Sequence, residues 1–146
     1  MARNQKKGDS IKEQLIAGLN HDLNHELEAV LRYLYHSSAA TTLLGHELRE
    51  AVKEDITGEM QHAIFLADKI TALGGEIQLN VQMPKKSRNA KDMLKEDIKT
   101  EREAVANYTE RLKQAEAFGD RGLVIRLEDI LAEETDHAEE LERLNR

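Results

Sequence analysis

The sequence contains no cysteine, no tryptophan and a single proline in 146 residues. Without cysteine there is no disulfide framework, no thiolate zinc site, no cysteine-ligated iron–sulfur cluster and no thiol nucleophile. Aromatic residues are scarce, at two Phe and three Tyr, while Leu, Ala, Glu and Lys abound, a balance that fits helices far better than strands. No apolar run approaches the eighteen residues of a membrane span, and the basic start Met1–Gly8 is not followed by a signal-type apolar segment, so the expected location is the cytoplasm. Positive charge is also in deficit. Twenty-one Lys and Arg against twenty-eight Asp and Glu leave a net charge of -7, which argues against a surface built for nucleic acid and suits cations better. What remains, 40% hydrophobic and 34% charged, describes one globular all-α domain spanning 1–146.

The apolar periodicity divides the chain into four helices. Ser10-Ile11-Lys12-Glu13 reads as a capping box opening helix A, about 10–38, with Leu15, Leu19, Leu23, Val30 and Tyr33 on its core stripe. Helix B, about 43–73, carries Leu48, Val52, Ile56, Leu66, Ile70 and Leu73 and stops at Gly74-Gly75. The pattern dissolves over 74–88, which is read as a long crossover. Helix C, about 90–117, follows with Leu94, Ile98, Val105, Tyr108 and Leu112. After Phe118-Gly119, Asp120 can cap helix D, about 120–145, with Leu123, Leu127, Ile130, Leu141 and Leu144. Two tight hairpins joined by one long connection describe the ferritin-like variant of the four-helix bundle.

The two hairpins are copies of one unit. A shift of 75 residues lays Glu26-Leu-Glu-Ala-Val-Leu-Arg-Tyr33 on Glu101-Arg-Glu-Ala-Val-Ala-Asn-Tyr108, with five of eight residues identical. The same shift lays Glu59-Met-Gln-His62 on Glu134-Thr-Asp-His137, so each half has a Glu followed 33 residues later by Glu-x-x-His. The midpoints of 26 and 59 and of 101 and 134 fall at 42.5 and 117.5, inside the two hairpin turns. Each lone Glu therefore stands level with its Glu-x-x-His, roughly 25 Å from the turn at 1.5 Å per residue, and all four helices can meet there.

These residues also lie on the apolar stripe, so the bundle centre receives four carboxylates and two imidazoles. Unpaired, each charge would cost several kcal/mol. No Lys or Arg occupies the stripe beside them, which leaves metal ions as the compensating charge. Oxygen and nitrogen donors of this kind suit iron or manganese, with zinc able to compete. A Glu from each of two helices with Glu-x-x-His from each of the other two is the known pattern of a two-metal carboxylate site. The candidate metal ligands are Glu26, Glu59, His62, Glu101, Glu134 and His137.

On these motifs the chain resembles the bacterioferritin branch of the ferritin-like superfamily. The resemblance implies that Glu26 and Glu101 are terminal ligands, that Glu59 and Glu134 bridge two irons, and that His62 and His137 complete one iron each. It implies a role for Tyr33 as a hydrogen-bond donor behind a ligand, and places Met60 where the family has the methionine that binds a haem shared by two subunits. It further implies ferroxidation: two Fe(II) per chain, with O2 or hydrogen peroxide as electron acceptor, and iron storage or detoxification in a homo-oligomer. Only nine residues follow His137, where the family continues helix D into a fifth helix, a departure that leaves the expected homo-oligomer open between a dimer and a larger shell.

Two other function classes fit parts of the pattern. A di-manganese or di-iron catalase or peroxidase would use nearly the same ligands, although rubrerythrin-type enzymes add a cysteine-ligated domain that this sequence lacks. A non-catalytic bundle touching DNA through the basic start is the third reading. Of the remaining histidines, His21, His25, His36 and His46 are expected to be solvated. Gly58, in mid-helix beside Glu59, is expected to mark a close helix contact or a local widening.

Overall fold

The computed structural model describes residues 1–146. Four helices, α1 (Ala2–Ala39), α2 (Leu43–Ala72), α3 (Ala90–Phe118) and α4 (Arg121–Leu144), form an antiparallel bundle without strands. Side-chain caps start three of them. Thr42 accepts from the Gly45 amide, Asn89 from Asp92 and Asp120 from Leu123, at 3.0, 3.1 and 3.0 Å. Gly74 and Gly119 supply the left-handed turns after α2 and α3, with φ of 80° and 88°.

The start of α1 differs from the expectation. Ser10 is not a cap: the helix continues back to Ala2, because Ala, Arg, Gln and two Lys are good helix formers and Gly8 interrupts them only once. That added stretch, from Ala2 to Ser10, is exposed throughout.

No strand forms in the crossover. It runs extended along α1, and α1 side chains bind its backbone at four levels. Asn20 donates to the Glu76 carbonyl and accepts from the Gln78 amide; Asn24 does the same with Gln78 and Asn80. Further along, the Gln82 amide donates to Glu28 and Tyr35 bonds Ser87. A helix edge thus provides the partners that a lone strand would lack. This connection sends α3 back antiparallel to α1, and so relates the two hairpins by an approximate two-fold axis across the bundle.

The apolar interior is divided in two. One cluster gathers Leu15, Leu19, Leu66, Ile70, Leu123 and Leu127; the other gathers Leu48, Val52, Met93, Leu94 and Leu141. Val30, Ile56, Ile98 and Val105 are only half-buried. Around the middle the deepest positions belong instead to Ala29, Ala63, Ala104 and Ala138, which the 75-residue shift relates in pairs. Small side chains there leave room for the polar groups between the two clusters.

Candidate metal centre

Between those clusters the four helices bring six predicted residues together. Glu26, Glu59, His62 and Glu134 form one group and Glu59, Glu101, Glu134 and His137 a second, with donor atoms in each group within 4.8 Å of one another. Glu59 and Glu134 belong to both. In the first group His62 Nδ1 lies 3.0 Å from Glu134, 3.3 Å from Glu59 and 3.6 Å from Glu26. In the second, His137 Nδ1 lies 3.1 Å from Glu59, 3.7 Å from Glu134 and 3.9 Å from Glu101. The four glutamates are 1–2% exposed.

Two tyrosines tie the halves crosswise. Tyr33 of α1 donates to Glu101 of α3, and Tyr108 of α3 donates to Glu26 of α1. Tyr108 escaped the sequence reading although the repeat that pairs Glu26 with Glu101 also pairs Tyr33 with Tyr108.

One turn before Glu26 and Glu101 lies a buried aspartate, Asp22 and Asp97, also related by the repeat. Asp22 takes two hydrogen bonds from Arg111, at 2.8 and 3.1 Å. Asp97 takes one from Arg32 at 3.1 Å and faces His36 Nδ1 at 2.8 Å. Two expectations are therefore corrected. Arginines do enter the interior, but each is committed to an aspartate; and His36, 3% exposed, is buried rather than solvated because Asp97 satisfies it. His21 and His46 are exposed, and His25 is half-buried.

Met60 points away from the cluster and is 39% exposed. Gly58 makes no close contact: a Cβ built there meets nothing within 4 Å. Gly18 is the crowded one, where a Cβ would fall 1.8 Å from the Arg111 guanidinium.

Without a cation these groups share protons. Burial, then the neighbouring Glu59 carboxylate, push Glu26 well above the usual carboxylate range. Burial and Glu134 push Glu101 up to about 10. At Glu59 and Glu134 burial works the same way but is outweighed by the adjacent carboxyl and the two nearby histidine rings, which hold both groups below the usual range. Burial opposes charge on the histidines too, yet the glutamates overcome it, raising His62 strongly and His137 to about 11. Two ionised glutamates thus balance two imidazoliums.

The residues fit metal ions better than they fit each other. Glu59 Oε2, His62 Nδ1, Glu101 Oε2 and Glu134 Oε1 are buried without a hydrogen-bond partner, all within this cluster. Two divalent cations would bring every one of these atoms a partner. Two carboxylates common to both groups, one further carboxylate and one imidazole for each, make a symmetric set for two ions.

Comparison with known proteins agrees. Residues 16–146 match the family model for the ferritin-like domain. The chain belongs to the ferritin-like family. It is 30% identical to the bacterioferritin of Brucella melitensis over 130 residues, 88% of this chain and 81% of that protein. Among solved structures it is similar to the ferritin-like, diiron-carboxylate protein of Bacillus anthracis, with a TM-score of 0.88 and 33% identity over 93% of this chain and 98% of that one. The fold is also that of the bacterioferritin of Desulfovibrio desulfuricans, whose diiron site was solved in different catalytic states: TM-score 0.83, 24% identity, covering 94% and 81% of the two chains. No helix in this ferritin-like bundle is long and apolar enough to cross a membrane.

Proposed function

We propose that this chain is a di-iron ferroxidase: Glu26, Glu59, His62, Glu101, Glu134 and His137 hold two iron ions, and the protein oxidises Fe(II) with O2 or hydrogen peroxide. The observation that carries the reading is the double cluster with two shared glutamates and four inward donor atoms lacking partners. The likeness to the ferritin-like, diiron-carboxylate protein of Bacillus anthracis supports iron as the metal. Two Fe(II) ions held by these residues would supply two electrons, one each, to O2 or hydrogen peroxide.

The protein's part is to bind, orient and insulate. Glu59 and Glu134 keep the two positions adjacent, while Tyr33 and Tyr108 fix the carboxylates of Glu101 and Glu26 by hydrogen bonding. The apolar clusters above and below exclude water along the bundle axis. Neutral imidazoles and four carboxylates match the charge of two divalent ions, so loading leaves the interior uncharged.

Assembly into a homo-oligomer accompanies this function, supported by the bacterioferritin likeness and by exposed Leu34, Met60 and Ile64 on the first hairpin. Stopped-flow oxidation of two Fe(II) per chain tests the activity. Rapid appearance of Fe(III) that is abolished in Glu134→Ala supports it. Fast peroxide decomposition without iron oxidation would contradict it in favour of a catalase or peroxidase.

A further inference from the structure

The repeat that builds the cluster breaks just outside it. His62 Nε2 donates to Glu133 of α4 at 2.5 Å, so its other ring nitrogen, Nδ1, faces the cluster. The repeat-mate of Glu133 is Gly58 of α2, the position from which a carboxylate would serve His137 in the same way. Gly58 offers no side chain, and the space a side chain would take is open. His137 Nε2 instead lies 3.4 Å from Asp55 Oδ1, a residue one turn away whose own repeat-mate is Ile130. That contact is a poor substitute. It exceeds ordinary hydrogen-bond length, and Asp55 Oδ2 is buried without a partner. The His137 side chain is also the more exposed of the two, 17% against 7% for His62.

The outer partner of a metal-binding imidazole fixes its tautomer and ring orientation and raises its basicity, and losing that partner typically lowers metal affinity 10–100-fold. We infer that the two metal positions are unequal: the Glu26–His62 position, backed by Glu133, is the tight one, and the Glu101–His137 position, with Gly58 where its carboxylate should be, is the weak and exchangeable one. Glu133 and Asp55 act as positioning residues through the histidines. The inference rests on the two-metal reading above but does not follow from it, since a symmetric site would serve that reading equally well.

Anaerobic titration of the metal-free protein with Co(II), followed through its visible absorption, tests this without any turnover. The wild-type chain should saturate in two phases of one ion each, separated by about tenfold or more in affinity. Glu133→Ala should weaken the first phase by roughly 10–100-fold and leave the second in place. Glu133→Gln, which keeps an acceptor oxygen, should restore most of it. Gly58→Glu, which recreates the repeat in open space, should strengthen the second phase and narrow the gap, with the metal-free unfolding temperature showing that the variant folds. Two equal phases in the wild-type chain, or Glu133→Ala and Gly58→Glu acting on the same phase, would overturn the inference while sparing the two-metal site. No cobalt uptake at all would overturn both.

Discussion

Two mid-helix glycines should respond to alanine in opposite directions. At Gly18 a Cβ would fall 1.8 Å from Arg111 Nη1, 2.2 Å from Cζ and 2.6 Å from Nε. The guanidinium is the far end of a long side chain, but it is 6% exposed and held by two hydrogen bonds to Asp22, itself 1% exposed. It can make way only by leaving Asp22, and an uncompensated buried charge costs about 3–5 kcal/mol. The better helix propensity of alanine returns about 1 kcal/mol. Gly18→Ala should therefore destabilise the bundle by about 3 kcal/mol, which for a chain of this size lowers the unfolding temperature by roughly 10 °C. At Gly58 a Cβ meets nothing, so Gly58→Ala gains only the propensity and should raise it by about 3 °C. Thermal unfolding of the metal-free variants, followed by circular dichroism, compares them directly. A Gly18→Ala protein as stable as wild type would refute the reasoning, because it would mean that the Asp22–Arg111 pair is either expendable or free to shift.

Further consequences follow from the cluster. With Glu101 raised to about 10 and His137 to about 11, and Glu26 and His62 raised as well, the metal-free site at neutral pH holds protons that a metal must displace. Binding should release about four protons per two divalent ions, two from carboxyls and two from imidazoliums, and affinity should fall steeply as pH drops below these values; calorimetry in buffers of different ionisation enthalpy reads the count. Because four buried atoms lack partners until ions bind, divalent metal should raise the unfolding temperature, by the equivalent of about 4 kcal/mol at a thousandfold excess over the dissociation constant. Tyr33→Phe and Tyr108→Phe should each slow iron oxidation, since the first leaves Glu101 and the second Glu26 without its tyrosine donor; unchanged oxidation in either variant would contradict the positioning role given to that tyrosine.

The six cluster residues were readable because the 75-residue repeat, the turn midpoints and the apolar stripe agree on the same positions. The helices after the first were placed by their apolar stripes, by the Gly74-Gly75 stop and, for α4, by a cap whose chemistry is local, Asp120 with Leu123. What escaped depends on partners distant in sequence. Arg32, His36 and Arg111 look like surface residues until Asp97 and Asp22 are seen across the α1–α3 interface. The start of α1 was misplaced because Ser10 and Glu13 form a capping pattern that a run of strong helix formers overrides. Gly18 and Gly58 are indistinguishable by propensity, and only the space beside each separates them.

The central claim is that one chain of this ferritin-like bundle encloses a complete two-metal site. Anaerobic equilibrium titration of the metal-free protein with Fe(II), with bound iron counted per chain, addresses it most directly. The account predicts saturation of the interior at two ions per chain and loss of both in Glu59→Ala, because Glu59 belongs to both groups. Saturation at one ion, or a Glu59→Ala protein that folds and still binds two, would contradict it.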